Sequence, residues 1–387
     1  PWKPPNNPAT FGADGPASNL SYDERSRTFF EDFNTRLDHQ FNPYVKIYAS
    51  WTSNHANGWG RPSNIRLPDW DTGSTKSPST NQNSSLGLTW VIGPSLVNDV
   101  RLGYYRRWSQ KMVPSFMKDY GKILGIPNIS PALLPAFGTG GAGSADSIYG
   151  LTLSGPNQRV DETITFRDDL TRMWGTHVFK MGYELLRLRM NSTVTNRPSG
   201  DFRFDQMTAG LQANGNPVPG TGNTFAGFLL GYVRQAQFDQ ELASWLPRSG
   251  IHGLYFQDDW KVSPRLTLNL GIRYSIESAY NMKWGQMSNF DPTVKDDLTG
   301  RLGGVVHPTT PLNKRDRNNF QPRIGVAWHP LQKWAMRGGF AVNTIDVKFP
   351  SSRAYFEEYV AQANYQSPPG DPRPIYRISQ IPAPVVY

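Results

Sequence analysis

Residues 251–275 constrain the fold more than any other part of the chain. Leu266, Leu268, Leu270, Ile272 and Tyr274 alternate with Thr267, Asn269, Gly271, Arg273 and Ser275. Strict period two belongs to a strand with one apolar face and one wet face. A second alternating run, 251–260, precedes it, and Lys261-Val262-Ser263-Pro264 makes the turn between them. A soluble β-sandwich and a membrane β-barrel both remain open.

The same hairpin recurs along the chain. Runs 33–41 and 44–51 flank Asn42-Pro43. Runs 84–92 and 96–106 flank Gly93-Pro94-Ser95, with Asn98 interrupting the apolar side. Runs 160–170 and 177–188 meet near 172–176, and runs 320–329 and 334–343 meet at 330–333. Each pair closes with a short turn, and long polar segments such as 52–83 and 108–159 separate the pairs. An outer-membrane barrel has short turns at one rim and long loops at the other. A Greek-key sandwich scatters its long connections to both ends.

The region 191–250 is set by parity. The run 177–188 leaves toward the long-loop rim, and 251–260 starts from that rim. The chain between them crosses an even number of times or not at all. Two weaker candidates lie there, 201–206 with Phe202 and Phe204, and 232–242 with Val233, Ala236 and Phe238. Residues 224–230 then fall at the short-turn rim, with spacing for one or two helical turns. The expectation is an all-β, antiparallel up-and-down transmembrane barrel, incomplete, with about twelve strands and long extracellular loops. Residues 1–30 read as an irregular lead-in, 31–345 as barrel strands and loops, and 346–387 as a loop and an incomplete C-terminal segment.

Three features favour the barrel over the sandwich. The clean strands have about the nine to eleven residues that a tilted crossing needs. Aromatic residues gather at strand ends: Tyr44, Trp51, Trp90, Tyr104, Trp108, Trp174, Trp260, Tyr274, Trp328 and Trp334. Interfacial girdles predict that clustering. Gly87, Gly103, Gly182, Gly271, Gly325 and Gly339 recur on the polar face, and small residues there leave room for something packed inside. Mean hydropathy is −0.54, and no apolar run approaches the roughly 18–20 residues of a membrane helix. A barrel escapes that test because its strands alternate.

Four stretches carry a family resemblance. The first is Leu254-Tyr255-Phe256-Gln257-Asp258-Asp259-Trp260-Lys261-Val262-Ser263-Pro264-Arg265-Leu266, continuing through Tyr274. The others are Arg36-Leu37-Asp38-His39-Gln40-Phe41, then Thr224-Phe225-Ala226-Gly227-Phe228-Leu229-Leu230-Gly231, then Asn319-Phe320-Gln321-Pro322-Arg323-Ile324-Gly325-Val326-Ala327-Trp328. In content and order they resemble TonB-dependent receptors, in particular the Oar-like group with a carboxypeptidase-regulatory-like domain. That resemblance covers most of 30–345. It implies a barrel of about 22 strands plugged by an N-terminal domain, in the bacterial outer membrane. It implies lipid and lipopolysaccharide around the barrel, a TonB energy-coupling partner, and uptake or export of a bulky extracellular ligand such as an oligosaccharide, peptide or siderophore. No plug, coupling box or signal is visible, so the chain is expected to be the middle of a larger receptor. A passive pore or adhesin barrel, or a soluble carbohydrate-binding module, are the alternatives.

No catalytic constellation assembles, so neither an enzyme nor a cofactor is expected. The six His are far apart and lack zinc-site spacing. There is no Cys, which removes thiolate chemistry. Asp168-Asp169 and Asp258-Asp259 resemble paired carboxylates, but neighbours on a strand point to opposite faces. The net charge of +9 fits a slightly basic surface, an anionic substrate or lipopolysaccharide phosphates, and the scatter of its basic residues argues against nucleic acid. What remains is binding. Arg36, Asp38, Lys46, Asp99, Arg101, Arg167, Asp169, Lys180, Glu184, Arg273, Arg323 and Arg337 share the polar face, where mixed signs suggest cross-strand ion pairs. A solvated strand face would carry the same residues. Trp59, Trp70, Tyr120 and Tyr149 in the long segments could offer aromatic platforms to a ligand. The run 138–143 reads as flexible loop.

Overall fold

A computed structural model describes residues 10–12, 15–17, 27–59, 66–67, 70–71, 76–112, 118–131, 133–139, 157–194, 197–205, 210–214, 216, 218, 221–222, 224–297, 299–308, 317–331, 333–345, 359–368, 371 and 373–384. Its main element is a wall of ten antiparallel strands. In chain order these are β1 (Arg27–Asn42), β2 (Val45–Trp59), β3 (Lys76–Gly93), β4 (Leu96–Lys111) and β5 (Asn157–Trp174). Then come β6 (His177–Val194), β7 (Pro247–Ser263), β8 (Leu266–Glu277), β9 (Phe320–Leu331) and β10 (Trp334–Ala341). Each strand pairs with its sequence neighbour, so the wall is a meander. Among the described residues β1 and β10 do not pair, and the wall stays open.

Four hairpins close through residues 43–44, 94–95, 175–176 and 264–265, all at one rim. Gly175 turns with φ of 58°, a conformation that favours glycine. The strands run further toward the opposite rim than their alternation does. β6 has 18 residues and reaches Val194 where the pattern ended at 188, although a tilted crossing takes only about 9–11. Beyond the membrane both faces of a strand are wet, and selection for alternation ends there.

The apolar face of the wall is uncovered. Leu270 is 38% exposed, Ile272 47%, Ile324 52% and Phe340 65%. A sandwich would bury these side chains against a second sheet. Among the described residues none lies over them, which is the inverted arrangement of a membrane barrel.

The buried core lies in the long connections instead. Ala136–Thr139, Asp201–Phe204, Gln235–Glu241 and Val360–Gln366 form a four-stranded sheet of their own. Tyr120, Leu133, Leu134, Phe137, Phe202, Phe204, Phe238 and Ile381 pack into its core. This cap corrects two expectations. The candidates 201–206 and 232–242 do pair, as Asp201–Phe204 with Gln235–Glu241, but outside the wall. The helix Thr224–Leu229 forms as its spacing suggests, yet its Phe228 packs on the cap core at the long-connection end, not at the short-turn rim. The chain between β6 and β7 crosses zero times. Gly138, expected in flexible loop, is held in a strand beneath the Arg203 side chain.

A second cluster ties the connections to the wall. Met190 on β6 packs with Trp245, Tyr280, Met282 and Met287. Met190 is in phase with Lys180, Gly182 and Glu184, so these connections fold over the polar face.

Candidate functional site on the polar face of the wall

The register brings the polar-face residues into shared rows. One row runs Asp38, Tyr48, Gly87, Arg101, Arg167, Glu184, Gly253 and Ser275 across β1 to β8. The next runs Lys46, Thr89, Asp99, Asp169, Gly182, Tyr255, Arg273 and Gln321. Lys180 lies opposite Gln257, which is opposite Gly271 and so leads to Arg323. Arg337 lies opposite Ala327. Arg36 is two residues from Asp38. All twelve residues singled out for this face therefore share it.

Their partners form a connected lattice. Arg36 bonds Asp38 at 2.7 Å, Lys46 approaches the same carboxylate at 3.6 Å, and the Arg36 guanidinium lies 4.2 Å over the Tyr48 ring. Arg101 bonds Asp99 at 3.3 Å, and Arg167 bonds Asp169 at 2.7 Å. The three Arg–Asp pairs run along one strand, two residues apart, whereas Lys46–Asp38 is a cross-strand contact of the expected kind. Same-face neighbours on a strand are close enough for an Arg fork to fold back. Cross-strand pairs do occur elsewhere: Lys180 donates to Asp259 at 2.9 Å, and Arg273 to Glu184 at 2.7 Å. Asp259 also accepts from Gln257 at 2.9 Å and Asn269 at 2.6 Å. Arg323 donates to Asn343 at 3.3 Å.

The sequence reading placed Asn269 on this face but missed Tyr255, Gln257, Asp259 and Gln321 as members of this lattice. All are in phase with the residues it named, and the two-residue period would have found them. It also took the polar-face glycines as empty space. The Tyr48 ring covers Gly87, and the Tyr255 ring covers Gly182.

The carboxylate pairs divide between faces. Asp169 and Asp259 belong to the lattice. Asp168 accepts from Asn98 at 2.5 Å on the apolar face, and Asp258 meets His177 at 2.7 Å there. Asn98, which broke the apolar pattern, therefore has a cross-strand partner. No group of three or more metal-ligand side chains converges among the described residues.

The loop aromatics fare differently. Tyr120 is fully buried in the cap core. Trp59 and Trp70 sit on described strand backbone, but their side chains, and all of Tyr149, fall outside the described residues. In the cap, Arg203 and Asp201 pair at 2.7 Å with both side chains buried.

The family described as Outer membrane beta barrel domain matches residues 2–386. The TonB-dependent transporter Oar of Myxococcus xanthus is 26% identical over 168 residues, which is 42% of this chain and 15% of that protein. Among solved structures, the alcaligin receptor FauA of Bordetella pertussis is 9% identical with a TM-score of 0.45, over 81% of this chain and 35% of that one. The closed form of the ferric-catecholate receptor Fiu from E. coli is 11% identical with a TM-score of 0.45, over 88% of this chain and 48% of that one. This chain thus spans less than half the length of each. The domain match extends over the wall and its connections together, and the uncovered apolar face agrees with it. The chain belongs to the outer membrane beta barrel domain family and resides in the bacterial outer membrane.

Proposed function

We propose that the wall forms part of a TonB-dependent transporter for a bulky ligand such as an oligosaccharide, peptide or siderophore. The observation that carries this reading is the polar lattice. Most of its charges are paired with one another, so the face is wet and mixed in sign without a large uncompensated field. Polar contacts to such a surface exchange with water at little net cost, about 0.5–1.5 kcal/mol each. A plug domain seated on Arg101, Arg167, Arg273, Arg323 and Arg337 could therefore shift without breaking a hydrophobic core. An inner-membrane TonB protein would supply the pull. Trp59, Trp70 and Tyr149 would offer ring faces to the ligand above, while Tyr120 holds the cap together.

The test places a photo-crosslinking residue at Arg101 and, separately, at Arg337 in the protein as it is made in cells. Crosslinks to a globular segment of the same polypeptide are expected. Absence of crosslinks, together with a steady ion conductance in planar bilayers, would overturn the proposal in favour of a passive pore.

A further inference from the structure

On the polar face, the charge balance changes toward the long connections. Three further rows there are in phase with Arg101 and Arg167. Arg107 on β4 lies opposite Asp161 on β5, and Asp161 opposite Met190 on β6. Ser109 lies opposite Arg159, and Arg159 opposite Ser192. Lys111 lies opposite Asn157, and Asn157 opposite Val194. Across β4, β5 and β6 these rows hold three cations and the single carboxylate Asp161. Lower on the same strands, Arg101 and Arg167 each have a carboxylate of their own.

Asp161 is itself engaged, because Arg159 Nε donates to both of its oxygens at 2.9 Å. The Nη groups of Arg159 donate to nothing further among the described residues. Arg107 is exposed and, among the described residues, has no hydrogen bond or ion pair. Two guanidinium groups on one face therefore have N–H groups to spare, and such forks match a carboxylate bidentately.

A groove of ≈ 440 Å³ adjoins these cations. Ser77, Ser109, Ser192, Asn157, Lys111 and Arg159 line it, so hydroxyls and an amide stand beside the charge. Asn157 Oδ1 is buried and has no hydrogen-bond partner. An acceptor left in that state is costly, and a ligand hydroxyl would satisfy it. Trp245 forms an apolar side of the groove. Backbone bonds in both directions with Ser192, at 2.9 Å, and an indole N–H bond to the Tyr280 hydroxyl at 3.1 Å hold it there. Serine hydroxyls and an amide both donate and accept, as the neighbouring hydroxyls of a sugar require. An indole side suits the C–H face of a pyranose ring. The groove lies toward the long connections, which are extracellular in such barrels. We propose that it binds a carboxylated saccharide, with the carboxylate on Arg107 and Arg159. Such a site rests on the transporter reading for the ligand's route inward, and it narrows that ligand to an acidic saccharide.

The test titrates the detergent-purified protein with tetragalacturonate, with its fully methyl-esterified form, and with a tetraglutamate peptide. The acid should bind at least about tenfold more tightly than either the ester or the peptide. The variant R107Q/R159Q should lose that preference. Arg106→Gln, one residue away on the opposite face of β4, should bind as the unaltered protein does. No binding of the acid, or equal binding of the ester, would overturn the proposal, because the cations would then play no part. Equal binding of the peptide would overturn it too, since the hydroxyls would be idle and the groove a general anion site. If R107Q/R159Q does not fold, the exposed Arg107→Gln alone decides, and an unchanged preference overturns the proposal. The titration reads the groove, whereas the crosslinks at Arg101 and Arg337 read the plug, so either can fail without the other.

Discussion

Tyr255 on β7 crosses over Gly182 on β6 and donates its hydroxyl to Asp169 on β5 at 2.5 Å. One side chain thus spans a whole strand and joins three. Arg273 repeats the manoeuvre one strand over, crossing Gly253 to reach Glu184 at 2.7 Å. Each crossing needs a glycine beneath it, because any Cβ would stand in the path. Glycine in a strand interior often marks such a close approach.

Replacing Gly182 should therefore cost more than its strand position suggests. A Cβ there would lie 2.5 Å from the Tyr255 ring and 2.7 Å from the Asp168 carbonyl oxygen. Gly182→Ala should destabilise the wall by about 1–3 kcal/mol, the range for overpacking. Tyr255→Phe leaves Asp169 its Arg167 partner and should cost about 1 kcal/mol. Urea unfolding in detergent, followed by tryptophan fluorescence, reads both, and an unchanged midpoint for Gly182→Ala would sink the argument.

The Arg273–Glu184 contact should show real coupling. Its side chains are 25% and 27% exposed, so solvent screens them only in part. Glu184→Gln and Arg273→Gln, combined in a double-mutant cycle, should give a coupling of about 1–2 kcal/mol. The exposed pair Arg36–Asp38 should give nearly none under the same conditions. Equal values for the two pairs would show that burial under the neighbouring strand is irrelevant.

The wall was legible in the sequence because a membrane imposes one demand on every strand. Leu266–Tyr274 and its counterparts had to alternate, and the short turns fixed their partners. The cap obeys no such rule. Asp201–Phe204 is buried along its whole length, so its alternation carried no information about a face. Its partners, Ala136–Thr139 and Val360–Gln366, are remote in sequence, and composition marked their surroundings only as loop. The polar lattice was half legible. Phase alone placed Arg101, Glu184 and Arg273 on one face, but only the register shows that Tyr255 lies on Gly182.

The orientation of the two faces can be tested by a single charge. Ile272 is 47% exposed on the apolar face, and Thr267 on the same strand lies on the polar one. Ile272→Arg should destabilise the membrane-inserted form by about 2–4 kcal/mol, the cost of a lipid-facing charge near the midplane. Thr267→Arg should cost much less. Folding into lipid vesicles, followed by heat-modified gel mobility, compares them, and an inverted order would reverse the assignment of faces.

The cap should unfold separately from the wall. Phe202 is fully buried, stacks with Phe137 at 6.0 Å and meets Phe238 edge-on at 5.7 Å. Phe202→Ala should cost about 3–5 kcal/mol, yet none of these rings belongs to the wall. Brief proteolysis should then cut within 195–246 while the hairpins stay protected. Loss of wall and cap together would show a single cooperative unit.

The Asp371 carboxylate gives a pH signature outside the membrane. The Arg373 guanidinium and backbone N–H hold its pKa well below the usual 3.8, at about 2. The Arg373 Nη2 donates to it at 2.6 Å. A depressed folded-state value means that ionised Asp371 favours the folded segment. That contribution is complete above the unfolded value and is lost as pH falls through the folded one. Both groups are surface charges, so the contact should weaken in high salt. A carbon-detected NMR titration of the Asp371 side chain should show a midpoint near 2, and Arg373→Ala should move it up toward 3.8. A midpoint unmoved by Arg373→Ala would place the cause elsewhere, because the arginine is the largest influence on this carboxylate.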